Sequence, residues 1–118
     1  MKKVNAKWKK IAQESEDPFR DIIMGVFKTC DFYEDGKYLV LKDYNTSAFQ
    51  YFLKEDILTH KVGDRHREDG PAVVPFSHNY KIEEEYYLEG KYYSKEAWEK
   101  DPRVKKAFLR KKIQNILE

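Results

Sequence analysis

The sequence has one cysteine and no long apolar run, and both shortages exclude classes of protein. Cys30 has no partner for an internal disulfide, so a reducing compartment is the simpler assumption. No stretch approaches the roughly 20 consecutive apolar residues that a membrane-spanning helix needs. Residues 1–6 also lack the apolar segment of a signal peptide. We therefore expect a cytoplasmic protein with no membrane partner.

Sequence motifs for catalysis and cofactor binding are also missing. Neither phosphate-loop pattern, Gly-x-Gly-x-x-Gly or Gly-x-x-x-x-Gly-Lys, occurs, so nucleotide hydrolysis has no support. His60, His66 and His78 are residue types that metal sites and acid–base pairs use. However, no His-x-x-x-His, Cys-x-x-Cys or His-Glu-x-x-His spacing appears. We therefore predict that the protein is not an enzyme and uses neither a metal nor another cofactor.

The composition is nevertheless sufficient for a folded core. Of the 118 residues, 41% are apolar and 37% are charged, which predicts one domain over residues 1–118 with a thin core. Nine tyrosines and seven phenylalanines supply much of the burial. Because tyrosine buries its ring and keeps its hydroxyl at the edge, the same composition suits contact surfaces.

The pattern of apolar residues predicts an α+β fold, in which N-terminal and C-terminal helices flank an antiparallel, hairpin-rich sheet. We expect residues 1–24 to be helical, 26–93 to be β-rich and 94–117 to be helical again. Turns are predicted where glycine supplies a positive φ, at Glu34-Asp35-Gly36 and at Glu89-Gly90. The predicted helices are 2–15, 18–24, 94–100 and 102–117, and the predicted strands are 26–33, 37–44, 48–54, 57–62, 72–74 and 80–88.

The net charge of +2 conceals a strong segregation of charge along the chain. Residues 1–16 carry five lysines against two glutamates, and residues 103–118 carry six basic residues against one glutamate. The stretch between them has 12 basic and 18 acidic residues. Basic side chains near aromatic rings are typical of sequence-tolerant nucleic-acid binding, although the acidic middle would repel a polyanion. The candidate residues for nucleic-acid binding are Lys9, Lys10, Lys106, Arg110 and Lys111.

The last predicted helix has apolar residues on two nearly opposite sides. One side has Val104, Ala107 and Phe108, and the other has Leu109, Ile113, Ile116 and Leu117. A straight helix cannot turn both sides toward one core. The second side therefore either meets a partner or packs on the N-terminal helix, and we favour packing on the N-terminal helix.

Two segments resemble a known kind of repeat. His-Arg-Glu-Asp-Gly-Pro-Ala at 66–72 and Tyr-Tyr-Leu-Glu-Gly-Lys at 86–91 resemble small repeat units of phage and viral proteins, which look like relatives of MORN-type β-hairpin repeats. The matching residues are His66, Arg67, Asp69, Gly70, Pro71, Ala72, Tyr86, Tyr87, Gly90 and Lys91. The following residues, 92–98, depart from the pattern, because a full repeat would return there to a second His-Arg motif.

The resemblance implies a twisted hairpin sheet and a phage lineage, but it implies no catalytic activity. We expect His66, Arg67, Asp69, Gly70 and Pro71 to form an architectural turn, in which His66 and Arg67 bond to Asp69 or to strand carbonyls.

From this lineage we expect a non-enzymatic interaction protein in the host-cell cytoplasm. It would bind and occlude a bacterial host protein or ribonucleoprotein complex, as inhibitors of bacterial defence do, anti-CRISPR proteins among them. Nucleic-acid binding through the basic ends is the alternative function. The partner's identity and the oligomeric state stay open. The predicted contact residues are Tyr86, Tyr87, Tyr92, Tyr93 and Trp98.

Overall fold

The computed structural model describes residues 1–59, 64–77 and 83–117, and it confirms the α+β fold class. In these ranges, the strands are β1 (Lys2–Lys3), β2 (Cys30–Asp35), β3 (Tyr38–Asp43), β4 (Ala48–Leu53), β5 (Val73–Pro75), β6 (Tyr86–Leu88) and β7 (Lys91–Tyr93). The helices are α1 (Asn5–Gln13), α2 (Phe19–Val26), α3 (Lys54–Leu58), α4 (Lys95–Glu99) and α5 (Pro102–Leu117).

Strands β1 to β5 form one antiparallel sheet in chain order, and β6 and β7 form a separate hairpin. A backbone bridge between Val73 and Glu85 connects this hairpin to β5. The turn between β6 and β7 places Glu89 at φ 50° and Gly90 at φ 80°, as a tight two-residue hairpin requires. The predicted Glu89-Gly90 turn is therefore confirmed.

One face of the large sheet packs against α1, α2 and α3. Trp8 of α1 and Phe32 of β2 are almost fully buried there, with their ring centroids 6.0 Å apart. Phe27 stacks on Phe32 at 4.0 Å between centroids. Burial of such large side chains removes the most apolar area from water, so this layer is the main hydrophobic core.

The opposite face of the sheet holds a smaller core made of Tyr38, Val40, Tyr51 and Ala72. Ala72 lies next to β4 at the edge of the sheet, where the Tyr51 amide donates to its carbonyl over 2.8 Å. A third cluster lies between the hairpin and the last two helices, where Leu88, Trp98 and Val104 are buried. The fold therefore has helices on one face of the sheet and a hairpin–helix unit beside the other.

The N-terminal helix is shorter than predicted. Helix α1 begins at Asn5, whereas Lys2 and Lys3 pair with Glu34 and Tyr33 as an edge strand. The amide of Val4 also donates to the Phe32 carbonyl over 2.8 Å. Pairing with a distant strand therefore overrides the local helical period, and the prediction of a helix over 2–15 is wrong at its start.

Two strand predictions need correction. Helix α2 continues to Val26, so the strand predicted from residue 26 begins only at Cys30. The strand predicted over 57–62 starts in α3 instead, where Ile57 is buried against the main core, and residues 60–62 lie outside the described residues. Short β-branched and apolar runs fit either element, and tertiary packing decided between them.

The local signals of the C-terminal part are confirmed. The Ser94 hydroxyl accepts a hydrogen bond from the Ala97 amide over 3.2 Å, which caps α4 as predicted. Helix α5 runs from Pro102 to Leu117, also as predicted.

Candidate interaction surface

Residues 66–72, the turn motif, connect the sheet to the hairpin. The His66 amide donates to the Tyr51 carbonyl of β4 over 3.0 Å. The next amide, that of Arg67, donates to the Tyr87 carbonyl of β6 over 3.1 Å. The turn motif thus lies between β4 and β6 and forms backbone hydrogen bonds with both strands.

His66 is 2% exposed, and both of its ring nitrogens have partners. The amide of Glu89 donates to Nδ1 over 2.9 Å, so Nδ1 carries no proton. Nε2 is then the donor in the 2.7 Å hydrogen bond to Glu68. The same carboxylate receives Lys37 at 2.6 Å. The imidazole therefore fixes the hairpin turn to the turn motif, through partners other than the predicted Asp69.

Arg67 makes three kinds of contact within a few ångströms. Its guanidinium lies 3.9 Å from the ring centroid of Tyr51. It donates to Asp69 over 2.9 Å, as the sequence suggested, and also to the Pro71 carbonyl over 3.1 Å. A Cβ at Gly70 would lie 2.7 Å from the central guanidinium carbon, so only glycine leaves room for this arrangement.

Asp69 also anchors α5. Its second oxygen receives Lys111 at 3.1 Å, while Arg67 bonds the first. Burial, the largest influence, raises the pKa of this carboxyl, but the Arg67 and Lys111 bonds outweigh it and hold the pKa below its ordinary value. At the other end of the helix, Arg103 pairs with Asp101 at 3.0 Å and with Glu89 at 3.4 Å.

The predicted contact tyrosines divide between the two faces of the hairpin. Tyr86 pairs with Tyr93, and Tyr86 packs at 4.7 Å from the Trp98 ring. Tyr87 pairs with Tyr92 on the opposite face, at 5.7 Å between centroids. Tyr92 is 61% exposed and is thus the most accessible ring of the set.

Trp98 is buried, with 3% of its surface exposed. Its indole N–H donates to the Arg67 carbonyl over 3.1 Å, and its ring meets Phe108 edge-on at 6.0 Å. A side chain so enclosed offers almost no surface to a partner, so we leave Trp98 out of the proposed contact surface. Its ring packs instead in the third core cluster.

One side of α5 faces the rest of the protein and the other faces solvent. Val104 is buried, and Phe108 and Lys111 extend that side toward Trp98 and Asp69. The expectation that the second apolar side packs on the N-terminal helix is wrong, because its side chains are 49–81% exposed. This outer stripe consists of Leu109, Ile113, Ile116 and Leu117.

The basic residues proposed for nucleic-acid binding lie on two separate elements. Lys9 and Lys10 belong to α1, which packs on α2 and β2, whereas α5 packs on α4. Lys9 lies over the Phe27 ring at 5.3 Å, and Lys111 is engaged by Asp69. Across residues 1–59, 64–77 and 83–117, four cations of α5 have no carboxylate within salt-bridge distance. These are Lys105, Lys106, Arg110 and Lys112.

The described residues bring together few groups suited to chemistry. Within them, no three His, Cys, Asp or Glu side chains are placed to hold a metal ion, while His60 and His78 lie outside the described residues. Cys30 is a buried thiol whose pKa burial raises. A cleft of about 140 Å³ between α2 and the sheet is lined entirely by apolar side chains, among them Ile22, Leu39 and Phe52.

Sequence reasoning missed the ion pair between Asp69 and Lys111 and the bonds of His66 to Glu68 and Glu89. Lys111 and Glu89 lie far from Asp69 and His66 in the sequence, and no periodicity or motif signals these contacts or the choice of Glu68 as the partner of His66. The sequence does indicate that the outer stripe could be exposed, because one helix with two opposite apolar sides cannot bury both.

The chain matches no known family model, no curated protein and no solved structure. None of the helices in the described ranges combines the length and the apolar character that spanning a membrane requires.

Proposed function

We propose that this chain is a non-enzymatic interaction protein that binds and occludes a protein or ribonucleoprotein complex of a bacterial host. The outer stripe of α5 is the observation that carries the proposal. Its four large aliphatic side chains lie on successive turns of one helix and are exposed to water. Contiguous apolar patches on a protein surface often mark sites at which another molecule binds.

The way in which α5 is held supports the same proposal. Lys111 pairs with the partly buried Asp69 on the inner side of the helix, and Val104 packs in the third core. A helix that is positioned from behind presents its outer side in a defined geometry. Such preorganisation lowers the entropic cost of binding.

The hairpin offers a second group of contacts. Tyr92 is exposed and packs edge-on against Tyr87, so the pair forms a rigid aromatic surface. Tyrosine is enriched at binding hot spots, because it buries a large ring and keeps a hydrogen-bonding hydroxyl. We include Tyr92 and Tyr87 in the proposed contact surface.

The bacterial host and the occluding mechanism come from the resemblance of residues 66–72 and 86–91 to phage repeat units. An inhibitor of bacterial defence, such as an anti-CRISPR protein, is the specific form that this lineage suggests. Such a protein would act in the host cytoplasm by covering a functional site of its target.

Affinity capture from a bacterial lysate, with nuclease treatment and mass spectrometry, tests the proposal. Wild-type protein should retain a specific protein after nuclease treatment, and Leu109→Asp/Ile113→Asp should lose it. Because both side chains are exposed, the variant should keep the wild-type unfolding temperature. Equal recovery by the folded variant and the wild type would contradict the role of the stripe.

Nucleic-acid binding is the second candidate, and the unpaired cations of α5 favour it. Lys106 and Arg110 belong to the predicted set, and neither has a carboxylate partner among the described residues. Binding through phosphates releases counterions, so the affinity should fall steeply with salt. A gel-shift titration at several salt concentrations tests this. Absent or salt-independent binding would remove the candidate.

A further inference from the structure

The outer stripe of α5 has the spacing of a helix-pairing seam. Leu109, Ile113 and Ile116 are separated by four and three residues, the alternation by which side chains form one narrow line along a helix. Leu117, the fourth residue of the outer stripe, lies beside this line and is also exposed. The geometry therefore suits a second helix.

Basic residues border the seam on both sides. With 3.6 residues per turn, Lys105 and Lys112 fall along one border and Lys106 and Arg110 along the other. None of the four is paired with a carboxylate in the described parts of the chain. Helix α5 itself contains no Asp or Glu between residues 102 and 117. The seam therefore lies between two rows of available cations.

This charge pattern selects among possible occupants. Charges that border a helix seam determine which partner can pair with it. If the α5 helix of a second copy lay against this one, the two sets of cations would face each other, and like charges at such positions repel. A nucleic acid would match the cations, but the seam is aliphatic and offers no ring on which a base could stack.

We propose that the outer side of α5 binds an acidic amphipathic helix of the partner, with apolar residues along its seam and Asp or Glu at its borders. This inference rests on the proposed function and specifies the chemistry of the partner segment. The aliphatic side chains would supply the buried contact. The four cations would steer association and set its orientation.

The probe for the test is a pair of labelled helical peptides, each about three heptads long, with the same Leu/Ile seam. One peptide carries Glu at the border positions and the other carries Lys. A scrambled version of the acidic peptide controls for charge alone. Fluorescence anisotropy measures binding to the wild-type protein.

The acidic peptide should bind about tenfold more tightly than its lysine counterpart, since several weak ion pairs add up to this ratio. Lys105→Glu/Lys112→Glu should reverse or abolish the preference. Leu109→Ser/Ile113→Ser should lose binding to both peptides. The altered side chains are exposed, so unfolding curves should confirm that both variants fold.

Four results would overturn the inference. They are equal binding of the scrambled peptide, no preference between the Glu and Lys peptides, self-association of the free protein through α5, and binding to phosphatidylserine vesicles without binding to peptide.

A failure of the proposed function gives a different pattern. If lysate capture depends on Leu109 and Ile113 but the acidic peptide does not bind, the function stands and the partner chemistry is wrong.

Discussion

The ammonium of Lys111 lies 3.1 Å from one carboxylate oxygen of Asp69, and this ion pair joins α5 to the turn motif. Arg67 donates to the other oxygen over 2.9 Å. One partly buried carboxylate thus holds both the turn and the helix whose outer stripe forms the proposed surface. Asp69 therefore links the turn motif to the helix of the proposed contact surface.

Asp69→Asn should destabilise the protein by about 1–3 kcal/mol, because it removes the charge that Arg67 and Lys111 share. Urea unfolding measures the change. Asp17→Asn is the matched control, since Asp17 pairs with Arg20 at 3.1 Å on an exposed surface. The control should cost less than about 1 kcal/mol. Equal losses in the two variants would contradict the anchoring role of Asp69.

Acid should weaken the fold through Glu68 and Asp69. Burial, the largest influence on both, raises their pKa values, but it is outweighed by bonds from Lys37 and His66 to Glu68 and from Arg67 and Lys111 to Asp69. Both pKa values therefore lie below their ordinary range in the folded chain.

Since the unfolded carboxyls take up protons first, the stability that these groups contribute is complete above an ordinary carboxyl pKa of about 4 and declines as the pH falls below it. Urea unfolding at about pH 6 and about pH 3.5 should reveal this decline. Asp69→Asn should lose less stability than the wild type over the same interval. Identical losses would show that Asp69 does not contribute to the acid sensitivity.

Gly70→Ala and Gly25→Ala should have opposite effects on stability. A methyl group at Gly70 meets the Arg67 guanidinium at 2.7 Å, so its contacts with Asp69 and Tyr51 would shift at a cost of about 1–2 kcal/mol. Gly25 lies inside α2 with nothing within 4 Å of the new Cβ, so alanine should stabilise by about 0.5–1 kcal/mol. Thermal unfolding of both variants tests the contrast, and a neutral Gly70→Ala would refute the close packing.

His66 should be found with its ring proton on Nε2, because Nδ1 accepts the Glu89 amide. Nitrogen chemical shifts of the imidazole near neutral pH distinguish the two tautomers. His66→Leu should cost about 2–3 kcal/mol, since it leaves the Glu89 amide without its acceptor. Hydrogen exchange at Glu89 should become faster in this variant. A proton found on Nδ1 would refute the assignment.

Substitution of Tyr92 should affect binding of the partner, whereas substitution of Trp98 should affect the stability of the fold. Tyr92→Ala removes an exposed ring and should change the free energy of unfolding by less than about 1 kcal/mol, while weakening capture of the partner. Trp98→Ala removes a buried ring and an indole hydrogen bond, and should cost about 3–5 kcal/mol. A strongly destabilised Tyr92→Ala would show that this ring is structural.

The elements that sequence predicted best are those specified by neighbouring residues. The Ser94 cap, the Glu89-Gly90 turn and helix α5 each depend on side chains within a few positions of one another. Local hydrogen bonds and backbone preferences determine them, so they can be recognised from a short stretch of sequence.

The elements that were predicted wrongly depend on contacts between distant parts of the chain. Lys2 and Lys3 form a strand only because β2 presents a free edge to them, and α3 forms where a strand was predicted.

The candidate site likewise combines a feature that local sequence shows with one that distant contacts determine. The two apolar sides of α5 were visible in the sequence, whereas the side that faces outward is decided by the Asp69–Lys111 pair and the burial of Val104.

The most direct test of the central claim compares Ile113→Asp with Leu58→Asp in nuclease-treated affinity capture. Both side chains are 49% exposed, but only Ile113 belongs to the outer stripe of α5. The proposal predicts that Leu58→Asp recovers the partner as the wild type does, whereas Ile113→Asp loses it. Equal recovery of the partner by the two folded variants would contradict the claim that this helix binds the partner.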